Sequence, residues 1–222
     1  MNKIALLLIA VLPLSLAQAQ NNEPERLGKS DPEAEKFLDK VADKYKSYNT
    51  MRAVFTLTIR AAESGVNEER TGNIYIKGNK FKLNMGSQEI ITDNTTLWTY
   101  LKDANEVQIN YYKPDEESIR PSEIFTIYEK DFLNRIRKTI EKNGKEFKVV
   151  ELTPKEKDKS YFKIVLTINA NNYDIVKAEV FDKNGTTYTY NIDKFVSDLS
   201  LSDNFFKFDP DKHPDVKIND IR

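Results

Sequence analysis

The feature that most restricts this chain is the spacing of its extended segments. "MRAVFTLTIRAA" sets Ala53, Phe55, Leu57 and Ile59 against Arg52, Thr56, Thr58 and Arg60. "GNIYIK" sets Ile74 and Ile76 against Tyr75, and "KFKLNM" sets Phe81, Leu83 and Met85 against Lys80, Lys82 and Asn84. "EIIT", "TLWTYL" and "EVQINYY" continue the series, with Gly78-Asn79, Gly86-Ser87, Asp93-Asn94 and Asp103-Ala104-Asn105 as turns. Strands this close in sequence pair antiparallel, because a parallel return needs a long crossover.

One strand breaks the rule of alternation. In "TDNTTLWTYLKD" (92–103), Leu97, Thr99 and Leu101 fall on one side of the pleat, and the single tryptophan, Trp98, falls with Tyr100 on the other. A strand with water on one face alternates apolar and polar residues. This one carries bulk on both faces, and the pattern leaves open which face turns inward.

After "PSEIFTIYEKDFLNRIRKTIEKNG" (121–144) the series resumes with "KEFKVVELTP", "YFKIVLTINA" and "IVKAEVFD". Asn184-Gly185 then turns into "TTYTYNI", and "NFFKFDP" reads as a short closing edge strand. In the interruption, Ile124, Ile127 and Tyr128 recur at helical spacing and predict one or two inserted helices. A further helix is predicted over about 31–48, capped by Ser30 or Asp31, with Pro32 in its first turn and Phe37, Leu38, Val41 and Tyr45 on its apolar face. The reading is one mainly β (α+β) domain over 31–222: a meander of ten or eleven strands, which curls at that size. Arg52, Arg60, Lys80, Lys82, Lys163 and Lys177 mark a wet convex face.

Residues 1–19, "MNKIALLLIAVLPLSLAQA", have the layout of a secretory signal peptide: Lys3, an apolar run and an Ala-x-Ala site. The polar residues 20–30 form a tail. The chain has no cysteine, hence neither disulfides nor an acylatable thiol. A net charge of −1 lacks the positive field of a nucleic-acid binder. Catalytic parts are scarce. The single histidine, His213, sits between prolines and reads as a solvated loop residue, too few ligands exist for a zinc site, and no glycine-rich phosphate loop occurs. Arg135, Arg137 and Lys138 read as the polar side of a helix. No enzyme, metal or cofactor is expected. Periodicity alone leaves two options for the apolar faces, a solid core or a lined cavity.

The run "FTLTI", "GNIYIKGNKFKL" and "EIITDNTTLWTYLKDANEVQI", with the ending "FFKFDPDKHPDVKINDIR", resembles the LolA family of periplasmic outer-membrane lipoprotein carriers. The likeness spans 31–222, and "IFTIYEKDF" and "VVELTPK" are similar to a Bacteroidetes-type branch. It implies an incomplete antiparallel β-barrel of about eleven strands with a helical lid. It also implies a soluble monomer in the periplasm whose cavity shields lipoprotein acyl chains in transit from inner to outer membrane. Its partners would be an inner-membrane lipoprotein-releasing ABC transporter complex and an outer-membrane acceptor. The alternative function is a periplasmic lipid- or peptide-sensing module on the same fold. By this likeness and continued alternation, Phe55, Leu57, Ile59, Ile74, Ile76, Phe81, Leu83, Ile90, Trp98 and Tyr100 line the cavity. Phe37, Leu38, Val41, Ile124, Ile127 and Tyr128 form the lid. Better-known members carry a lid-latching arginine where Gly78 stands here, with Lys77, Lys80 or Lys82 as the substitutes within reach.

Overall fold

Asp31 starts the first element. In the computed structural model, which describes residues 28–113, 125–129 and 131–222, its Oδ1 accepts the Glu33 amide at 2.9 Å. Helix α1 (Pro32–Lys46) follows, with glutamates early and lysines late, as the helix dipole favours. The predicted leader (1–19) and most of the tail lie outside the described residues.

Six strands come next: β1 (Met51–Ala61), β2 (Val66–Lys77), β3 (Lys80–Met85), β4 (Gln88–Thr92), β5 (Thr96–Leu101) and β6 (Glu106–Tyr111). After the connection come β7 (Phe132–Lys142), β8 (Lys145–Pro154), β9 (Tyr161–Asn169), β10 (Ile175–Asp182), β11 (Thr186–Ser197) and a last short β12 (Lys217–Asp220). All belong to one curved, unclosed sheet ordered β12-β6-β5-β4-β3-β2-β1-β11-β10-β9-β8-β7. Two antiparallel meanders are joined by β1 and β11, which pair from Met51↔Ser197 to Ala61↔Thr186 across one bulge. The turns use the expected chemistry. Asn94 takes φ 78°, and Asp93 Oδ1 accepts the amides of Thr95 and Thr96 at 3.0 and 2.8 Å.

Two predicted elements differ. Within 121–143 the described residues hold only a 3-10 turn, Ile127–Glu129, before strand β7 begins at Phe132. Arg135, Arg137 and Lys138 therefore lie on a strand, not a helix. A bulge between Ile136 and Lys138 interrupts the alternation, so Ile136 and Ile140 fall on opposite faces of the strand. The closing "NFFKFDP" is also not a strand. It makes a 3-10 turn, Asp203–Phe206, in which Phe206 is buried and Phe205 meets Tyr75 edge to face. The edge strand is β12, parallel to β6, because the chain first crosses that face and reaches the edge from its far side.

That crossing explains the two-faced strand. Phe208 joins Ile91, Tyr100 and Val107 in a small second core, with Trp98, Ile109 and Val216 packed against it. Tyr100 donates to Asn105 Oδ1 at 2.9 Å. His213, read from sequence as solvated, stacks on Phe208 at 4.8 Å and touches the Tyr100 ring at 4.4 Å. The convex face is accordingly less wet than expected: Arg60 is exposed, but Arg52, Lys80 and Lys82 are half-buried. Arg52 lies over Tyr75 at 5.3 Å, and Phe205 packs on Tyr75 at 4.9 Å.

Removing Phe208 opens this second core. Phe208→Ala is expected to cost about 3 kcal/mol and to shift Trp98 emission to the red. Urea unfolding followed at the single tryptophan reads both, and an unchanged spectrum would contradict the packing described.

Candidate functional site

The concave face is assembled row by row across the sheet. Ala53 aligns with Ile74, Ile74 with Leu83 and Leu83 with Ile90. One row further, Phe55 aligns with Ile192 on β11 and Gly72 on β2. Of the residues expected to line a cavity, Phe55, Leu57, Ile74, Ile76, Phe81 and Leu83 are buried in one cluster. Ile59 and Ile90 pack half-buried against it. Trp98 and Tyr100 are brought elsewhere: they turn to the convex face, because their neighbours Thr99 and Leu97 occupy the concave rows of Ile90 and Thr92. Leu97, missed as a candidate, takes the inward position, and only the strand register reveals it.

Helix α1 covers one end of this face. Phe37, Leu38 and Val41 belong to the same cluster, as do Phe125 and Tyr128; Ile127 packs half-buried against it, and Ile124 lies outside the described residues. Rings fill the space: Tyr45 stacks on Phe125 at 5.0 Å, and Phe125 meets Phe195 at 5.6 Å. Burial holds the Tyr45 hydroxyl protonated far above the usual tyrosine range. Its oxygen accepts the Ile175 amide at 3.0 Å.

The helix is fastened to the sheet near both ends. Lys148 bonds Glu33 at 2.5 Å near its start. Near its end Lys44 pairs with Asp174 and donates to the Asn172 carbonyl at 2.5 Å, while Tyr173 packs on Phe37 at 5.6 Å. The turn between β9 and β10 therefore grips the helix, and Tyr173 adopts φ 62° to do so. The lysines considered as latch substitutes do other work. Lys77 and Lys80 pair with Asp203 at 3.0 and 3.1 Å and hold its carboxyl below the ordinary aspartate range. Lys82 pairs with Glu89 at 2.9 Å. All three bind the convex side, away from α1.

Beyond the reach of α1 the described residues cover the concave face less completely. Ile59, Met85, Ile90, Tyr188, Tyr190 and Ile192 pack against the core only half-buried. They are contiguous: Ile59 aligns with Tyr188, Leu57 with Tyr190, and Gly72 with Met85. A separate cleft of about 500 Å³ runs along the outer flank of α1 toward β7, but Glu35, Asp39, Asp43, Asp131 and Lys155 line it with charge unsuited to hydrocarbon. Among the described residues, no group of three or more His, Cys, Asp or Glu gathers to hold a metal ion, and no helix is long and apolar enough to cross a membrane.

Two contacts test this description. Tyr45→Phe leaves the buried Ile175 amide without its acceptor, at about 1–3 kcal/mol, and speeds hydrogen exchange at that amide. Gly72→Ala places a Cβ 2.6 Å from the Phe55 ring tip. That overpacking is expected to cost about 1–3 kcal/mol in chemical denaturation; a neutral result would mean the ring is free to move.

Solved structures share this architecture. An uncharacterized conserved protein of Thermus thermophilus superposes with TM-score 0.56 at 14% identity, over 85% of this chain and 99% of that one. LprF from Mycobacterium bovis gives TM-score 0.47 at 12% identity, over 79% and 98%. A LolA superfamily protein of Nitrosomonas europaea gives 0.43 at 13%, over 79% and 97%. No curated protein matches the chain. The family model described as outer membrane lipoprotein carrier protein LolA matches residues 46–209, a span that takes in the sheet but stops short of most of α1 and all of β12. On that match the chain belongs to the LolA family.

Proposed function

We propose that this protein is a non-enzymatic periplasmic carrier that shields the acyl chains of lipoproteins on its concave face and moves them from the inner to the outer membrane. The observation that carries this reading is the half-buried strip of Ile59, Met85, Ile90, Tyr188, Tyr190 and Ile192, which adjoins a packed core without being sealed into it. Family membership supports it. An inner-membrane ABC transporter complex would load the carrier, and an outer-membrane acceptor would receive the cargo.

Magnitudes decide how such a carrier must work. Each buried methylene is worth about 0.8 kcal/mol, so two or three acyl chains hold a lipoprotein to a bilayer almost permanently. The carrier must offer comparable burial and still let go. A rigidly filled interior under α1 cannot yield that space cheaply. The half-buried end can, because its side chains lack neighbours on one side. Hydrocarbon therefore enters at the end remote from α1, and the fastened helix serves as a fixed wall.

Uptake of a fluorescent fatty acid by the purified full chain, with native mass spectrometry of protein from its host, tests the reading. Ile90→Glu is expected to weaken uptake at least about tenfold, equivalent to roughly 1.4 kcal/mol, with little loss of stability at this half-buried position. Absence of uptake by the unaltered protein, together with no co-purifying lipid, would overturn it.

A further inference from the structure

Strand β2 changes character along its length while keeping the same face inward. Ile76, Ile74 and Gly72 occupy the buried rows. The next two inward positions are Arg70, aligned with Leu57, and Glu68, aligned with Ile59. These charges stand on a face whose other residues in the same rows are apolar or aromatic. Arg70 is bonded to Glu68 at 2.5 Å, and both are about half exposed.

The same rows bring two tyrosines from the other side. Leu57 lies between Arg70 and Tyr190, and Ile59 between Glu68 and Tyr188. With strands about 4.8 Å apart, each pair spans roughly 10 Å across three strands. Burial raises the pKa of the Tyr190 hydroxyl, so it remains a protonated donor. Arginine carries five N–H donors in a planar fork, and the Glu68 carboxylate accepts from one of its nitrogens, Nη2. Glu68 also neutralises the guanidinium charge. The register thus gathers Arg70, Tyr188 and Tyr190 in two neighbouring rows, a set of N–H and O–H donors without net positive charge. Such a set suits neutral carbonyl oxygens better than a phosphate or a free carboxylate.

We propose that Arg70, with Tyr188 and Tyr190, forms a polar collar that binds the ester carbonyls where acyl chains join their glyceryl carrier, the tails lying inward along Met85, Ile192 and Ile90. This rests on the acyl-carrier reading and adds a chemical preference to it: the collar selects acyl esters over hydrocarbon of equal length. Apolar burial sets how tightly the tails are held. The collar sets which end enters last, so that the polypeptide of the cargo stays outside.

The test uses the full chain and two synthetic lipopeptides with the same peptide and the same two tails, one ester-linked and one ether-linked. Each competes with a fluorescent fatty acid. The unaltered protein is expected to favour the ester form by about tenfold, roughly the net worth of a single hydrogen bond to a charged group. Arg70→Leu and Tyr190→Phe are each expected to bring that ratio close to one, and thermal melting verifies that each variant is folded. Equal affinity of the unaltered protein for the two lipopeptides would overturn the collar and leave the apolar site standing. So would a ratio that survives Arg70→Leu. Binding of neither lipopeptide would overturn the collar together with the carrier reading.

Discussion

A sheet of twelve strands curls, and a curled sheet has two faces that cannot both be left to water when both are apolar. Every other feature of this fold answers that constraint. On the concave side α1 and the residues around Phe125 supply the cover. On the convex side the chain after β11 crosses back and covers the second core with Phe208 and Val216. The β1–β11 pairing makes this possible, since it joins the two meanders into a single surface.

The two covers differ in completeness. The convex cover is short, polar at its rims and held by Lys77 and Lys80 on Asp203 and by stacked rings around His213. The concave cover is deep under α1, and beyond it the described residues leave a strip only half-buried. An incomplete cover over apolar side chains costs stability, and its persistence is what a reversible ligand site requires. The grip of the β9–β10 turn fixes α1 on the sheet. Lys44, Tyr45 and Phe37 engage Asp174, Ile175 and Tyr173, so lifting the helix would break an ion pair, a buried hydrogen bond and a ring contact together.

Much of the sheet was legible because strand alternation has a period of two and the turns carry their own chemistry. Ile74 with Ile76 and Phe81 with Leu83 share a face within their strands by counting, the family resemblance joins them to Phe55, and Asp93-Asn94 marks its turn by side-chain bonding. The segment around Ile136 was not legible, since a bulge is invisible without the partner strand that defines it. "NFFKFDP" misled because three aromatic residues in four positions satisfy a strand template equally well as a flat apolar strap. Trp98 and Tyr100 could be counted as a pair, but their direction depended on Phe208, more than a hundred residues later in the chain.

The sequence by itself determined the antiparallel meanders, the amphipathic first helix and the sharing of faces, since these follow from local steric periodicity and from turns too short for any crossover. Only the tertiary structure decided which face is concave, where the apolar cover stops, and that Arg70 and Glu68 stand inward at the open end. Those outcomes depend on pairing β1 with β11 and on the path of the C-terminal crossing, which are long-range contacts. No local pattern encodes a cover that arrives from the other end of the chain.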